Sequence, residues 1–247
     1  DRVASLGHDD VLVRREVAGG YTIAANAGLR MSTAPFVALL NSDTVVPTGW
    51  LEKLVAALDS GPCIGLAGPL SNAASYQSVP EVDSPEGGFK VNELPDGMTV
   101  DEMDRLCQQI AGNIYPRVPI LNGFCILMRR SLIESIGLLD EQTFPRGYGE
   151  ENDYCFRAWD AGFSAVIALD TYVFHAKSRS YTTRRNDLAR AASVALKAKW
   201  SEQRVRLAAQ TLAEHPWLAA IRLRVAQMLS SPESRPSVHS EPGYLPE

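Results

Sequence analysis

FVALLNSDTVVPTGWLEKLVAALDSGPCIGLAG, residues 36–68, decides the fold. Its opening, FVALL (36–40), is an unbroken apolar run of strand length, which predicts a strand buried on both faces. TGWLEKLVAALDSG (48–61) spaces its apolar residues for one helical face, with Thr48 as candidate N-cap and Gly61 after the last turn. CIGLAG (63–68) reads as a second buried strand. Strand, helix and strand at this spacing predict a βαβ unit, hence an α/β fold with a mostly parallel central sheet flanked by helices.

Working outward, VLV (11–13) reads as a short strand and TIAANAGLRMS (22–32) as a short helix. Residues 69–98 are rich in Ser, Pro, Gly and Asn. A stretch of that length inside a compact domain predicts a functional excursion rather than a plain connection. Thr99 and Glu102 fit a capping box, and Ser131 with Glu134 a second one before a short helix ending at Gly137. FCILM (124–128), AVIAL (165–169) and YVFH (172–175) read as strands, with a helix over 150–161 stopped by Gly162. From Arg184 the pattern is helical to about Gln210, and again from Trp217 to Leu229. There Ile221, Val225, Met228 and Leu229 share a face with Arg222 and Arg224 beside it. That face either packs on the domain, the ordinary case, or lies on a membrane. Residues 231–247 are Pro/Ser-rich and read as a flexible tail or linker. The organisation is therefore a core over 1–183, a helical extension over 184–230 and the tail.

The chain has 247 residues, 45% hydrophobic and 21% charged, enough for a sizeable core. A net charge of −5 gives no footing for a nucleic-acid partner. Cys63, Cys107, Cys125 and Cys155 form no CxxC pair. They read as buried free thiols of a reducing compartment, not as a disulfide framework or zinc site. No apolar run approaches the ~20 residues of a membrane span, and no signal peptide is visible. The chain starts at Asp1 amid charged sequence, which reads as a segment of a longer polypeptide.

Four features carry chemistry. Asp43, in NSDT, directly follows FVALL, and ligands of open α/β sheets bind beyond the carboxyl ends of strands. A carboxylate there either ligates a divalent cation or merely caps the turn, and alone the turn reading is favoured. His175 closes YVFH, where an imidazole completes a metal site or simply sits at a strand edge. Glu150 and Glu151 follow the Gly-flanked approach FPRGYG (144–149). They either complement the positive helix end or include a general base, which needs partial burial to keep its basicity. Asp153 has a structural explanation in a surface pair with Arg157, four residues on. HAKSRSYTTRR (175–185) is either a solvated basic turn or a diphosphate clamp through Lys177 and Arg179.

In this order, the stretches GGYTIAANAGL, FVALLNSDTVVPTGWLEKL, GPLSNAASYQSVPE, YPRVPILNGFCILMRRSLIESIGLLDE, GYGEENDYCFRAWDAGF and YVFHAKSRSY resemble inverting family-2 glycosyltransferases of GT-A fold. They are most similar to bacterial rhamnosyltransferase-like members that build surface polysaccharides. The resemblance runs from about residue 19 to 181. It implies that the D-x-D-type metal motif falls on Asn41-Ser42-Asp43, so that Asp43 alone carries over as a ligand of Mg2+ or Mn2+, with Asn41 contacting the metal or sugar nucleotide. It puts the catalytic base on Glu151 beside Glu150, a late metal-shell histidine on His175, and Asn26 on the nucleotide side. It implies a dTDP- or UDP-sugar donor and a glycan or lipid-linked glycan acceptor. It also implies a cytoplasmic location at the inner face of the membrane, with peripheral association. The family's initial strand and acidic loop are not found, which reads as truncation.

The implied reaction is one in-line displacement. Glu151 removes the acceptor proton, the oxygen attacks the anomeric carbon, and the nucleoside diphosphate leaves. Two rivals stand beside it. A sugar-1-phosphate nucleotidyltransferase needs a Gly-rich basic loop that the sequence lacks. A non-catalytic carbohydrate- or partner-binding module fits the lost first carboxylate at Asn41.

Overall fold

A computed structural model describes residues 11, 13, 19–176 and 182–230. In chain order the elements are α1 (Tyr21–Met31), β1 (Phe36–Leu40), β2 (Thr44–Val45), α2 (Trp50–Asp59), β3 (Ile64–Leu70), α3 (Val100–Ala111), β4 (Arg117–Val118) and β5 (Cys125–Arg129). There follow α4 (Arg130–Ile136), α5 (Glu150–Asp160), β6 (Ser164–Tyr172), β7 (Phe174–His175), α6 (Thr182–Trp200), α7 (Glu202–Ala213) and α8 (Pro216–Ser230).

Five strands form one sheet in the order β1-β5-β3-β6-β4, and β2 pairs with β7 in a separate two-stranded ribbon. β1, β3 and β6 run in one direction. β5 inserts antiparallel between β1 and β3, and β4 lies antiparallel outside β6, so β3 and β6 are the parallel neighbours. The predicted strand-helix-strand unit is present, but its first strand sits elsewhere than expected. β1 is the edge strand among the described residues and is half-buried, whereas β3 is buried along its whole length. Val11 and Val13 are exposed and outside any strand, against the expectation for 11–13, and Leu12 lies outside the described residues.

The two faces of β3 and β6 carry separate apolar clusters. Leu66, Leu70, Ile167 and Leu169 pack with side chains of α3, α5 and α8. Ala67, Val166 and Ala168 pack under Leu54, Ala57 and Leu58 of α2. The period-2 alternation of a strand sends neighbouring residues to opposite faces, so both must be apolar.

Helix starts follow local chemistry with two corrections. Thr99 caps α3 in the predicted box: its hydroxyl accepts the Glu102 N–H at 3.2 Å and its N–H donates to Glu102 Oε2 at 2.7 Å. Thr48 is not the cap of α2. Gly49 takes that position with φ 74°, and the Thr48 N–H donates to Asp101 Oδ1 instead. Ser131 lies inside α4, which starts after Arg129 with no side-chain cap. The Arg129 guanidinium bonds the Leu58 carbonyl and Asp59, tying that start to the end of α2. The single helix expected over 184–210 starts at Thr182 and breaks at Ser201, φ 67°, whose hydroxyl caps α7.

The apolar face of α8 packs on the main domain. Leu218, Ile221 and Val225 belong to its principal core, while Met228 is partly exposed. Arg222, beside that face, bonds the carbonyls of Tyr76 and Ser78. No described helix is long and apolar enough to cross a membrane. Cys107, Cys125 and Cys155 are buried free thiols as expected, but Cys63 is exposed. Burial pushes the Cys125 and Cys155 thiols up to about 12, which leaves both inert as nucleophiles.

Candidate active site

The carboxyl end of β1, the β2–β7 ribbon, the 69–98 excursion and the start of α5 enclose a cleft of about 500 Å³. Asn41, Asp43, Glu150, Glu151 and His175 all line it. Residues more than a hundred positions apart are thus brought to one cavity.

His175 sits on the ribbon, where it pairs with Thr44, and Asp43 on the turn that leads into it. The Asp43 carbonyl accepts the Ala176 N–H at 2.8 Å, and Asp43 Oδ1 lies 3.4 Å from His175 Nε2. The His175 ring is buried and stacks on Phe124 at 5.2 Å, and its Nδ1 lies 3.2 Å from the Ala73 carbonyl. Donation from Nδ1 to that carbonyl is the tautomer that puts the Nε2 lone pair on the Asp43 side. Asn72, from the excursion, clamps the His175 backbone: its amide donates to the carbonyl at 3.1 Å and its oxygen accepts the N–H at 2.7 Å. The excursion thus holds His175 through Asn72 and adds Ser75 and Phe89 to the cleft wall.

Glu150 and Glu151 face the same cleft from the first turn of α5. The Gly149 N–H donates to both carboxylates, at 3.1 and 3.0 Å. Gly149 has φ 143°, and a Cβ there would meet the Phe144 ring at 3.0 Å. Gly123 leaves room for Glu151, since its Cβ would lie 3.3 Å from the Glu151 side chain. Glu150 is 4% exposed. Burial raises both carboxyls above the ordinary range, and the negative charge of Glu151 raises Glu150 further. The partial burial that a working base needs is therefore present.

Asp153, behind the pair, is fully buried, not on the surface as expected from its spacing to Arg157. It accepts from Arg157 at 2.9 Å, from Trp200 Nε1 at 2.7 Å and pairs with Lys199 at 2.7 Å, locking α5 against the end of α6.

Asn26 does not reach the cleft. It is 1% exposed, its amide donates to the Leu139 carbonyl and to Glu141, and its oxygen accepts the Leu139 N–H. It ties α1 to the 139–141 segment and has a structural duty. Lys177 and Arg179 lie outside the described residues.

Several cleft residues were not singled out from sequence, Arg146, Tyr148 and Asn122 among them. Arg146 and Tyr148 come from the Gly-flanked approach to α5, and Asn122 from the turn before β5. An arginine four positions before a glutamate pair was the available signal for Arg146. Tyr148 adopts φ 67° between two glycines, a strained conformation for a bulky residue.

Asp43 and His175 offer one hard oxygen and one imidazole nitrogen, a set that suits a divalent cation. Among the described residues no group of three His, Cys, Asp or Glu side chains gathers into a metal cage. The pair fits a cation whose other positions are filled by substrate oxygens and water.

The family model for glycosyl transferase family 2 matches residues 2–137, more than half of the chain. A pre-mycofactocin glycosyltransferase of Mycobacterium tuberculosis is 29% identical over 143 residues, covering 58% of this chain and 27% of that protein. A protein of Caenorhabditis elegans named probable N-acetylgalactosaminyltransferase 9 is 24% identical over 180 residues, 71% of this chain and 30% of its own length. The chain thus spans under a third of these curated relatives. A crystal structure of GalNAc-T7 with UDP, GalNAc and Mn2+ superposes with TM-score 0.50 at 15% identity, covering 87% of this chain and 42% of that one. That likeness shows the fold: α/β, GT-A-like, with a helical C-terminal region.

Proposed function

The chain belongs to glycosyl transferase family 2, and on that premise we propose that it transfers a sugar from a nucleotide-diphosphate donor to an acceptor hydroxyl, with inversion and with Glu151 as general base. One observation carries this reading: Glu150, Glu151, Asp43 and His175, from segments far apart in the chain, wall a single cleft.

The division of labour follows from the geometry. Glu151, raised by burial and held by the Gly149 N–H, takes the acceptor proton when ionised. The freed oxygen forms a bond to the anomeric carbon while the bond from that carbon to the diphosphate oxygen breaks. The nucleoside diphosphate departs with the bonding pair. Arg146, on the cleft wall, meets the charge that accumulates on the leaving group, and Lys177 and Arg179 are assigned the same duty. Asp43 and His175 would hold Mg2+ or Mn2+, and Asn41 lies beside them. Such a cation supplies Lewis-acid neutralisation of the diphosphate. Bound Mn2+ in the GalNAc-T7 structure supports this assignment. Glu150, the more deeply buried partner, keeps a proton that would otherwise oppose Glu151.

A second reading, a binding module without catalysis, is favoured by Asn41 standing where the family pattern has a carboxylate. One experiment separates the two. In the full-length protein with a UDP- or dTDP-sugar, Glu151→Gln lowers kcat by about 10²–10⁴-fold and leaves donor affinity in place. Unchanged nucleoside diphosphate release in the variant selects the binding module.

A further inference from the structure

Glu151 lies on the walls of two cavities. Beside the cleft described above is a second one of about 380 Å³, and the two share Ser75, Phe89, Asn122, Tyr148 and Glu151. Those shared residues form the partition between them. Ser75, Asn122, Tyr148 and Glu151 put polar groups at that partition, where the Asn122 amide also donates to the Ser75 hydroxyl. Gln77, on its floor, is already engaged, donating to the Pro69 carbonyl and accepting the Asn122 N–H.

Away from the partition the wall is mostly apolar, with Asn152 and Ser193 as polar side chains on it. Leu121, Phe156, Leu196, Val205, Ala209 and Leu212 line it, four of them from α6 and α7. A hexose presents hydroxyls around its whole rim, and each needs a partner when taken from water. A wall with Asn152 and Ser193 as its free-standing polar side chains supplies too few for the whole rim. Its volume falls in the range of pockets that enclose a small organic molecule.

We infer that this second cavity takes an apolar aglycone, an alkyl or aryl group attached to the acceptor hydroxyl. The hydroxyl points through the partition at Glu151, and the apolar body lies against α6 and α7. Of the glycan or lipid-linked glycan acceptors expected by resemblance, this selects those that carry an apolar group at the acceptor end. The helical extension becomes a specificity element and not only a support. This rests on the transferase reading and deepens it.

The test measures binding, so that it fails independently of that reading. The full-length protein is titrated with 2-phenylethanol, n-octanol and, as polar control, methyl β-glucoside, by saturation-transfer NMR. At least one apolar alcohol binds ten-fold or more tightly than the glucoside, and the preferred arm tells an aryl from an alkyl aglycone. Ala209→Trp fills the cavity and weakens that binding at least ten-fold. Should it fail to fold by circular dichroism, Ser193→Trp, on an exposed stretch of α6 at the cavity rim, replaces it with the same expected loss. Equal binding of all three compounds, or apolar binding that survives a folded Trp variant, overturns the inference. Transfer that survives Glu151→Gln instead sinks the transferase reading and leaves this result standing.

Discussion

The two ends of the candidate cleft are built differently. At the α5 end the protein supplies everything itself. One N–H holds two carboxylates, Gly123 makes room for one of them, and the buried Asp153 anchors the helix through Arg157, Lys199 and Trp200. At the other end a two-residue ribbon presents one carboxylate and one imidazole, 3.4 Å apart. The first arrangement is preorganised before any substrate arrives, as a base aimed at one proton requires. The second, on the proposed reading, is a half-site for substrate oxygens to complete. The contrast separates a residue whose loss stops chemistry from residues whose loss weakens binding.

The largest effect should come from the anchor of the preorganised end. Asp153→Ala removes the shared acceptor of two cations and an indole N–H, and should lower the unfolding free energy by about 3 kcal/mol. Urea unfolding of both proteins checks this, and a loss below about 1 kcal/mol would mean that α5 is held by apolar packing instead. Next in size is the half-site. Asp43→Ala should weaken Mn2+-dependent donor binding by about 10–100-fold, ~1.4–2.7 kcal/mol, with part of the loss recovered at higher Mn2+. Calorimetric titration with and without metal decides the point. Donor affinity that ignores the metal removes Asp43 and His175 from the site.

How much of this was legible in the sequence depended on whether the signal was local. Thr99 with Glu102 is a closed local unit, and the capping box formed as read. The buried runs that became β3 and β5 were equally plain, because apolar continuity and length identify a strand. Thr48 and Ser131 failed because a cap depends on where tertiary contacts let the helix begin: Asp101 takes the Thr48 N–H, and Arg129 opens α4. FVALL promised a two-faced core strand, but sheet order is a long-range property, and β5 came between it and β3. The metal and base candidates were legible by pattern, since Asp43, Glu151 and His175 each sit at an element end. Asn26 lacked that placement, standing in the middle of α1, and its amide served Leu139 and Glu141. The second cavity was illegible because α6 and α7 approach α5 only in the folded chain.

A smaller change probes the space reserved for the base. Gly123→Ala puts a methyl group 3.3 Å from Glu151, tighter than ordinary contact, so the carboxylate must shift. The expected result is about a 10-fold fall in kcat, ~1.4 kcal/mol, with donor affinity intact. A fall in donor affinity instead would place Gly123 in the service of the half-site and erase the division between the two ends.

The sharpest test of how the carboxylate pair is held reads a slope against pH and not a single loss. Burial and mutual repulsion raise Glu150 above its ordinary 4.5, so in the folded protein it keeps its proton to higher pH than in the unfolded chain. Through the window above 4.5 the unfolded state binds fewer protons than the folded state. Stability from this group is therefore full below 4.5 and declines as pH rises, with a slope of at most ~1.4 kcal/mol per pH unit. Glu150→Gln keeps the shape, cannot ionise, and should flatten that slope while stabilising the protein at neutral pH. Urea midpoints of both proteins between pH 5 and about pH 8 would show the difference. Parallel curves would mean that Glu150 is ionised in the folded state. The pair would then be two charges complementing the helix dipole, and the α5 end would lose the proton economy that sets it apart from the ribbon.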